Sequence, residues 1–387
     1  MVDLAGYLIV GGVALVVTLL TTPVVRRVAE WRGWVAQPDE RKIHERPTAD
    51  VGGIAMYLGF LAAMGAAWQM DRFTPIFTDN SEPLGVVLAA TVIFAVGLAD
   101  DLRDWSAPAK VTGIVLAGVI LATFGVTMFY FRIPFLEVVA IGSELAPLVT
   151  VLWLLGMANA INLIDGLDGL AAGIVAIASG TFFLYSVRLD ELGILAQPNI
   201  GPLVAVVCCG VCLGFLPHNF NPARIFMGDG GALLLGLLMA VATVVVGGRT
   251  DPNQGFTGQT YFFFAPLFIP LIILGVPILD TLLAIVRRAK GRKGVTTADK
   301  DHLHHRLMRL GHGQRRSVII LWLWTALLSG FVLYPAYNEG RGDAIVPLGV
   351  AALGLALYTV LHPSVRNRGD DLDEVDSPPD VGEVAQR

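Results

Sequence analysis

Residues 145–187 read LAPLVTVLWLLGMANAINLIDGLDGLAAGIVAIASGTFFLYSV. Two apolar runs, 145–158 and 169–187, flank a polar segment from Asn159 to Gly169 that contains no basic residue. A spanning helix needs about 20 largely apolar residues, so the stretch predicts two membrane helices joined by an acidic turn. The first run is short for a span and leads straight into the polar segment. Within that segment Asn159, Asn162, Asp165 and Asp168 step by three. On a helix or a 3-10 turn that step lines one face with carbonyl and carboxylate oxygens. Gly166 and Gly169 allow another backbone or a ligand to come close. A plain solvated loop needs no such spacing.

The rest of the chain repeats the pattern. Of 387 residues, 55% are apolar and only 15% charged, against about 25% charged in soluble domains. That composition excludes a soluble enzyme, a disordered chain and a disulfide-rich secreted domain. The expected fold is an all-α polytopic membrane protein of about eleven spans: 4–22, 51–70, 84–99, 107–127, 145–158, 169–187, 200–216, 231–248, 262–285, 317–337 and 344–362. The first run lacks a basic leader and a small-residue cleavage site, so it reads as a retained helix. Cys208, Cys209 and Cys212 lie in one apolar run and read as small buried residues, with a CxxC metal or redox pair the less favoured reading.

Charge sets the sidedness. Alternating connections on one side hold 22 of the 27 Lys and Arg, which marks that side as cytoplasmic. The N-terminus is then expected outside and the C-terminus inside. All seven histidines fall on or beside the same side, as do the polar clusters. Residues 1–363 form the expected membrane domain, and the acidic stretch 364–387 reads as a disordered cytoplasmic tail.

Four further clusters accompany 159–169. Asp100-Asp101-Leu102-Arg103-Asp104 ends the run 84–99. Carboxylates in a membrane are costly, about 2.5–3.5 kcal/mol each at mid-bilayer on insertion scales. Three in five residues call for a cation, usually Mg2+ held by hard oxygens, or for a protonation role; a solvated loop is the plainer alternative. His218-Asn219-Phe220-Asn221-Pro222-Ala223-Arg224-Ile225-Phe226-Met227-Gly228-Asp229-Gly230-Gly231 opens another span. Asp229 among glycines at a helix start suits a metal or phosphate site, or else an ordinary N-cap.

The loop 285–317 carries His302, His304, His305 and Arg306. Its HxHH spacing is wrong for zinc and it has no cysteine partners, but Arg and His donors match diphosphate oxygens. Arg41, Lys42, His44 and Arg46 in the first loop could meet a lipid phosphate. Asp280 reads as the structural partner of Arg287, two helical turns away.

DDLRD, NAINLIDGLDG, FMGDGG and HLHHR, in this order on one side, resemble the motifs of the polyprenyl-phosphate N-acetylhexosamine-1-phosphate transferases. These are the WecA/TagO-like enzymes, relatives of MraY, and the resemblance spans about residues 5–362. It implies transfer of a HexNAc-1-phosphate from a UDP-sugar to polyprenyl phosphate, giving polyprenyl-diphospho-HexNAc and UMP as the first membrane step of a cell-envelope glycan. It implies Mg2+, with Mn2+ as a substitute, and a bacterial inner-membrane enzyme with a cytoplasmic site, a candidate homodimer that binds no nucleic acid.

By the same resemblance Asp229 is the principal metal ligand and Asn162 a second. Asp100 deprotonates or positions the lipid phosphate, with Asp101 beside it. Asn159, Asp165 and Asp168 lie on the nucleotide and sugar side, and Phe226 stacks on uracil. Lys110 sits near the phosphates, His302, His304, His305 and Arg306 hold the diphosphate and sugar, and Lys42 and His44 form the basic first-loop motif.

Two departures are visible. Ala232 stands where the GD motif usually continues to a serine, and HLHHR lacks the HHHxE form of the MurNAc-pentapeptide enzymes. The second departure favours UDP-GlcNAc as donor, with the phospho-MurNAc-pentapeptide transfer as the alternative. An ion-coupled transporter would spread its acids through mid-span. An aromatic prenyltransferase would show paired Asp-rich motifs and would not explain HLHHR.

Overall fold

Apolar runs in a membrane must satisfy their backbone groups internally, and helices do so within one segment. The computed structural model describes residues 4–36, 47–103, 105–132, 138–249, 313–338, 343 and 345–361. It contains α1 (Leu4–Arg32), α2 (Gly53–Trp68), α3 (Thr74–Thr78), α4 (Glu82–Arg103), α5 (Ala107–Thr123), α6 (Ala146–Ile164), α7 (Leu170–Glu191), α8 (Gly201–Asn219), α9 (Gly228–Gly247), α10 (Gln314–Tyr337) and α11 (Ile345–Leu361). Ten of the eleven expected runs coincide with helices. The run 262–285, Asp280 and the tail lie outside the described residues.

Six helices (α1, α4, α6, α7, α8 and α9) are long and apolar enough to cross a membrane, by length and composition. A seventh is counted if α2 and the short helical segment after its 89° bend form one broken span. The chain is not wholly helical. β1 (Val35–Ala36) pairs antiparallel with β2 (Thr48–Ala49), and β3 (Tyr130–Arg132) with β4 (Val138–Ala140). These connections leave the helices, so their N–H and C=O groups need partners elsewhere.

Two helices outrun the expected boundaries by the widest margins. α1 continues to Arg32, and α6 runs on through Asn159 and Asn162 to Ile164. No proline or glycine interrupts 157–165, and the Asn159 amide folds back to donate to the Leu155 carbonyl at 2.7 Å. α1 contains Pro23, whose missing N–H leaves the Leu19 carbonyl without its helical donor. The ring Nε2–H of His218, at the end of α8, supplies the bond across the interface at 3.1 Å.

Helix α9 is the centre of the bundle. Of its most apolar stretch 94% is buried, against 33% for α1, and it packs on α4, α6, α8 and α2. A helix apolar on all sides belongs inside. Lipid offers no hydrophobic drive for helix association, so close backbone approach at small residues supplies contact. Gly210 and Gly214 of α8 face the carbonyls of Gly11 and Leu15 in α1, and Gly236 of α9 rests on Ala158 of α6.

At one end of the bundle a buried clasp joins α4 to Arg249, two residues beyond α9. Arg249 pairs with Glu82, donates to the Gly125 carbonyl and reaches the Thr127 carbonyl at 3.4 Å. Both side chains are nearly enclosed, at 13% and 5% exposure. Glu82→Ala leaves a buried guanidinium without its counter-ion and is expected to cost about 3–5 kcal/mol. Glu30→Ala, which breaks the exposed pair with Arg26, should cost less than about 1 kcal/mol. Thermal unfolding in detergent compares the two, and equal melting temperatures would contradict a clasp.

Candidate active site

The opposite ends of the helices carry the acids. The first N–H groups of a helix have no partner within it, and α9 starts inside the protein. Asp101, in the last turn of α4, meets that need: its Oδ1 accepts from the Asp229 N–H at 2.6 Å and its Oδ2 from the Gly230 N–H at 3.0 Å. Gly97, one turn earlier, makes room. A β-carbon there would lie 2.6 Å from both the Asp229 carbonyl oxygen and the Gly230 Cα. Gly228 turns into α9 at φ +64°, and a β-carbon on it would meet Asp101 Oδ2 at 2.5 Å.

A backbone strap fixes the segment before α9. Ala49 bridges Ile225 in parallel, the Phe226 N–H donates to the Ala49 carbonyl at 2.9 Å, and Gly52 and Gly53 donate to the carbonyls of Phe226 and Met227 at 2.9 and 2.8 Å. The strap brings Asp50 beside the site; its carbonyl oxygen is 2.6 Å from where a Gly228 β-carbon would stand.

Lys110, at the start of α5, completes the centre. Its Nζ donates to Asp100 Oδ2 at 2.6 Å and also pairs with Asp229 Oδ2. The three side chains are 15–23% exposed, so these charge-assisted bonds are partly sheltered from water. One ammonium thus serves two carboxylates that come from helices more than 120 residues apart in the chain.

Beyond it, the turn between α6 and α7 presents Asp165 and Asp168. The Asp165 carboxyl is pushed up to about 8, first by loss of water around it and then by the negative charges of Asp50, Asp229 and Asp168. Asp168 is buried, and its Oδ2 accepts from the Ala223 N–H and the Asn221 amide, both at 2.9 Å. Gly169, at φ +78°, donates its N–H to Asn219 Oδ1 at 3.0 Å. The Asn219 amide donates in turn to the Ile225 carbonyl at 3.1 Å.

The structure therefore gathers Asp100, Asp101, Lys110 and Asp229, with Asp165 and Asp168 close enough to act on one another electrostatically. Asn162 is half-buried in the last turn of α6, and Phe226 is half-buried in the strap. Asn159 is occupied by its own helix. Asp229 is not the N-cap of α9, a place held by Met227, but lies in the first turn. Lys42, His44, His302, His304, His305 and Arg306 lie outside the described residues. Sequence reasoning passed over Asp50, whose only sign was an acid one residue removed from Gly52-Gly53, and gave Asn221 no role of its own.

Among the described residues no group of three or more His, Cys, Asp or Glu side chains forms a ready metal cage. The donor set still suits a hard cation. Apart from Lys110, the side chains facing the centre offer oxygens, and Asp165 feels three negative neighbours. A dication that completes its shell with phosphate oxygens and water fits that surplus.

Grouped carboxylates around Lys110 stand at one end of a bundle whose helices are long and apolar enough to cross a membrane. The model of the family described as "Glycosyl transferase family 4" matches residues 83–247, from α4 to the end of α9. A decaprenyl-phosphate N-acetylglucosaminephosphotransferase of Mycobacterium tuberculosis is 36% identical over 373 residues, 95% of this chain and 91% of its own length. A probable undecaprenyl-phosphate N-acetylglucosaminyl 1-phosphate transferase of Bacillus subtilis is 36% identical over 312 residues, 80% of each chain. A phospho-N-acetylmuramoyl-pentapeptide-transferase of Desulforudis audaxviator is 32% identical over 366 residues, 87% of this chain and 99% of its own. The chain belongs to the polyprenyl-phosphate N-acetylhexosamine-1-phosphate transferase family.

If Lys110 neutralises the acid pair, Lys110→Gln should lower turnover about 10²- to 10³-fold, the scale for losing one electrostatic contact in an active site. The melting temperature should stay within a few degrees of the parent. Gly97→Ala should instead unfold the protein, while Gly65→Ala, which meets nothing within 4 Å, should be silent in the same melting assay.

Proposed function

We propose that this protein transfers GlcNAc-1-phosphate from UDP-GlcNAc to polyprenyl phosphate, releasing UMP. The observation that carries the reading is the convergence of Asp100, Lys110 and Asp229 on one point at the end of the bundle. The relatives named for N-acetylglucosamine share 36% identity over most of the chain, which favours that donor over the MurNAc-pentapeptide one. The described polar clusters gather at one end of the bundle, which in this reading is where a lipid phosphate and a water-soluble nucleotide sugar meet. We place that end in the cytoplasm, in a bacterial inner membrane, with eleven spans, the N-terminus outside and the C-terminus inside. The support is the concentration of 22 of 27 basic residues on that side.

In this reading a lipid phosphate oxygen attacks the β-phosphorus of the nucleotide sugar. The new P–O bond forms as the bond from that phosphorus to the oxygen bridging it to the α-phosphate breaks, and UMP leaves with the electron pair. Asp100 takes or holds the acceptor's proton and orients it, Lys110 offsets the charge that gathers on the phosphates, and Asp101 keeps α9 and Asp229 in register. Asp229 and Asn162 would hold Mg2+, which would screen the diphosphate against the incoming anion and stabilise the leaving UMP. Asp165 and Asp168 face the donor.

The direct test incubates purified protein with UDP-GlcNAc, polyprenyl phosphate and Mg2+ and follows UMP. The parent should release UMP, EDTA should stop it with recovery on added Mg2+, and Asp229→Asn should lower the rate at least about 10²-fold. No UMP from any UDP-sugar would sink the reading. Faster release with UDP-MurNAc-pentapeptide would move the chain to the other branch.

A further inference from the structure

Asn221 lies eight residues before Asp229, in the loop between α8 and α9, and is not one of the acids, bases or aromatics that carry the chemistry above. Its side-chain amide nonetheless makes three bonds to described residues. Nδ2 donates to Asp168 Oδ2 at 2.9 Å and to Gln314 Oε1 at 2.7 Å. Oδ1 accepts from Arg315 Nε at 3.2 Å, and the same Nε reaches the Asn221 backbone carbonyl at 2.9 Å. These partners fix which way the amide points. Turned over, its oxygen would face a carboxylate and a second amide oxygen, and its NH2 would face a guanidinium.

The network spans three segments. It joins the turn after α6, the loop before α9 and the first turn of α10. Gln314 and Arg315 are the first two residues of α10, which directly follows the basic stretch carrying HLHHR. Arg315 is exposed, whereas Asp168 is buried. A contact at the surface of α10 is thus relayed through one amide to a carboxylate inside the site.

We propose that Asn221 and Arg315 are positioning residues that set the Asp168 carboxylate for the uridine part of the donor. The start of α10 thereby tunes affinity for the nucleotide and leaves the acceptor lipid alone. Two donors on Oδ2 hold the carboxylate in one rotamer, and removing the Asn221 amide takes one of them away. The inference rests on the reading that Asp168 faces the donor, and its test separates the two.

Asn221→Leu keeps the side-chain size and removes the three side-chain bonds, leaving the one to the backbone carbonyl. It should raise the KM for UDP-GlcNAc about tenfold, with kcat and the KM for polyprenyl phosphate within twofold of the parent. Arg315→Ala should raise the donor KM about three- to fivefold, and Arg315→Lys should recover part of it. Arg315 is exposed, so its variants report even where Asn221→Leu fails to fold. Calorimetric titration with UMP gives a readout independent of turnover, and both Kd values should rise in step with KM.

An unchanged donor KM and unchanged UMP affinity in Arg315→Ala would overturn the proposal. So would equal losses in kcat and both KM values with a fallen melting temperature, the pattern of a merely structural contact. A parent protein that binds UMP but releases none from any UDP-sugar would sink the transferase reading and leave the positioning claim to the titration.

Discussion

The backbone of α9 must begin where there is little water, and that constraint organises everything around it. Its first N–H groups carry partial positive charge and need acceptors. Asp101 gives both of its oxygens to the N–H groups of Asp229 and Gly230. One carboxylate thereby fixes the relative height of α4 and α9, and with it the separation of Asp100 from Asp229. Lys110 can bridge those two acids only because this register is set. The glycines at 53, 97 and 228 serve the same joint, since side chains there would push the helix ends apart.

Much of the bundle was legible in the sequence because a membrane demands long apolar runs. Where α6 would end was not legible, because the step of three through Asn159 and Asn162 fits a helix and a turn alike. In place, the Asn159 amide satisfies its own helix at Leu155, and backbone bonding carries α6 through both. The short ladder between 35–36 and 48–49 was also unreadable, being two residues wide and set by its pairing with the segment before α9.

The acids announced themselves by their clustering, but their division of labour did not. Nothing in DDLRD separates Asp100, which meets a lysine, from Asp101, which meets a helix end. That distinction depends on the rotation of α4 against α9. Asn221 was hidden for the opposite reason: a neutral amide carries no charge signal, and its partners lie 53 and 93 residues away. Asp50 reaches the site through a backbone strap, which side-chain patterns do not encode.

The repair of α1 at Pro23 bears on proton chemistry. Because the Leu19 carbonyl can only accept, the bond at 3.1 Å fixes the hydrogen of the His218 ring on Nε2. The ring stands next to Asn219 and close in sequence to the acids, where a histidine invites a role as acid or base. Its Nε2 is committed to α1, so a shuttle that loads one nitrogen and unloads the other is closed to it. His218 is thereby spent on the joint between α1 and α8.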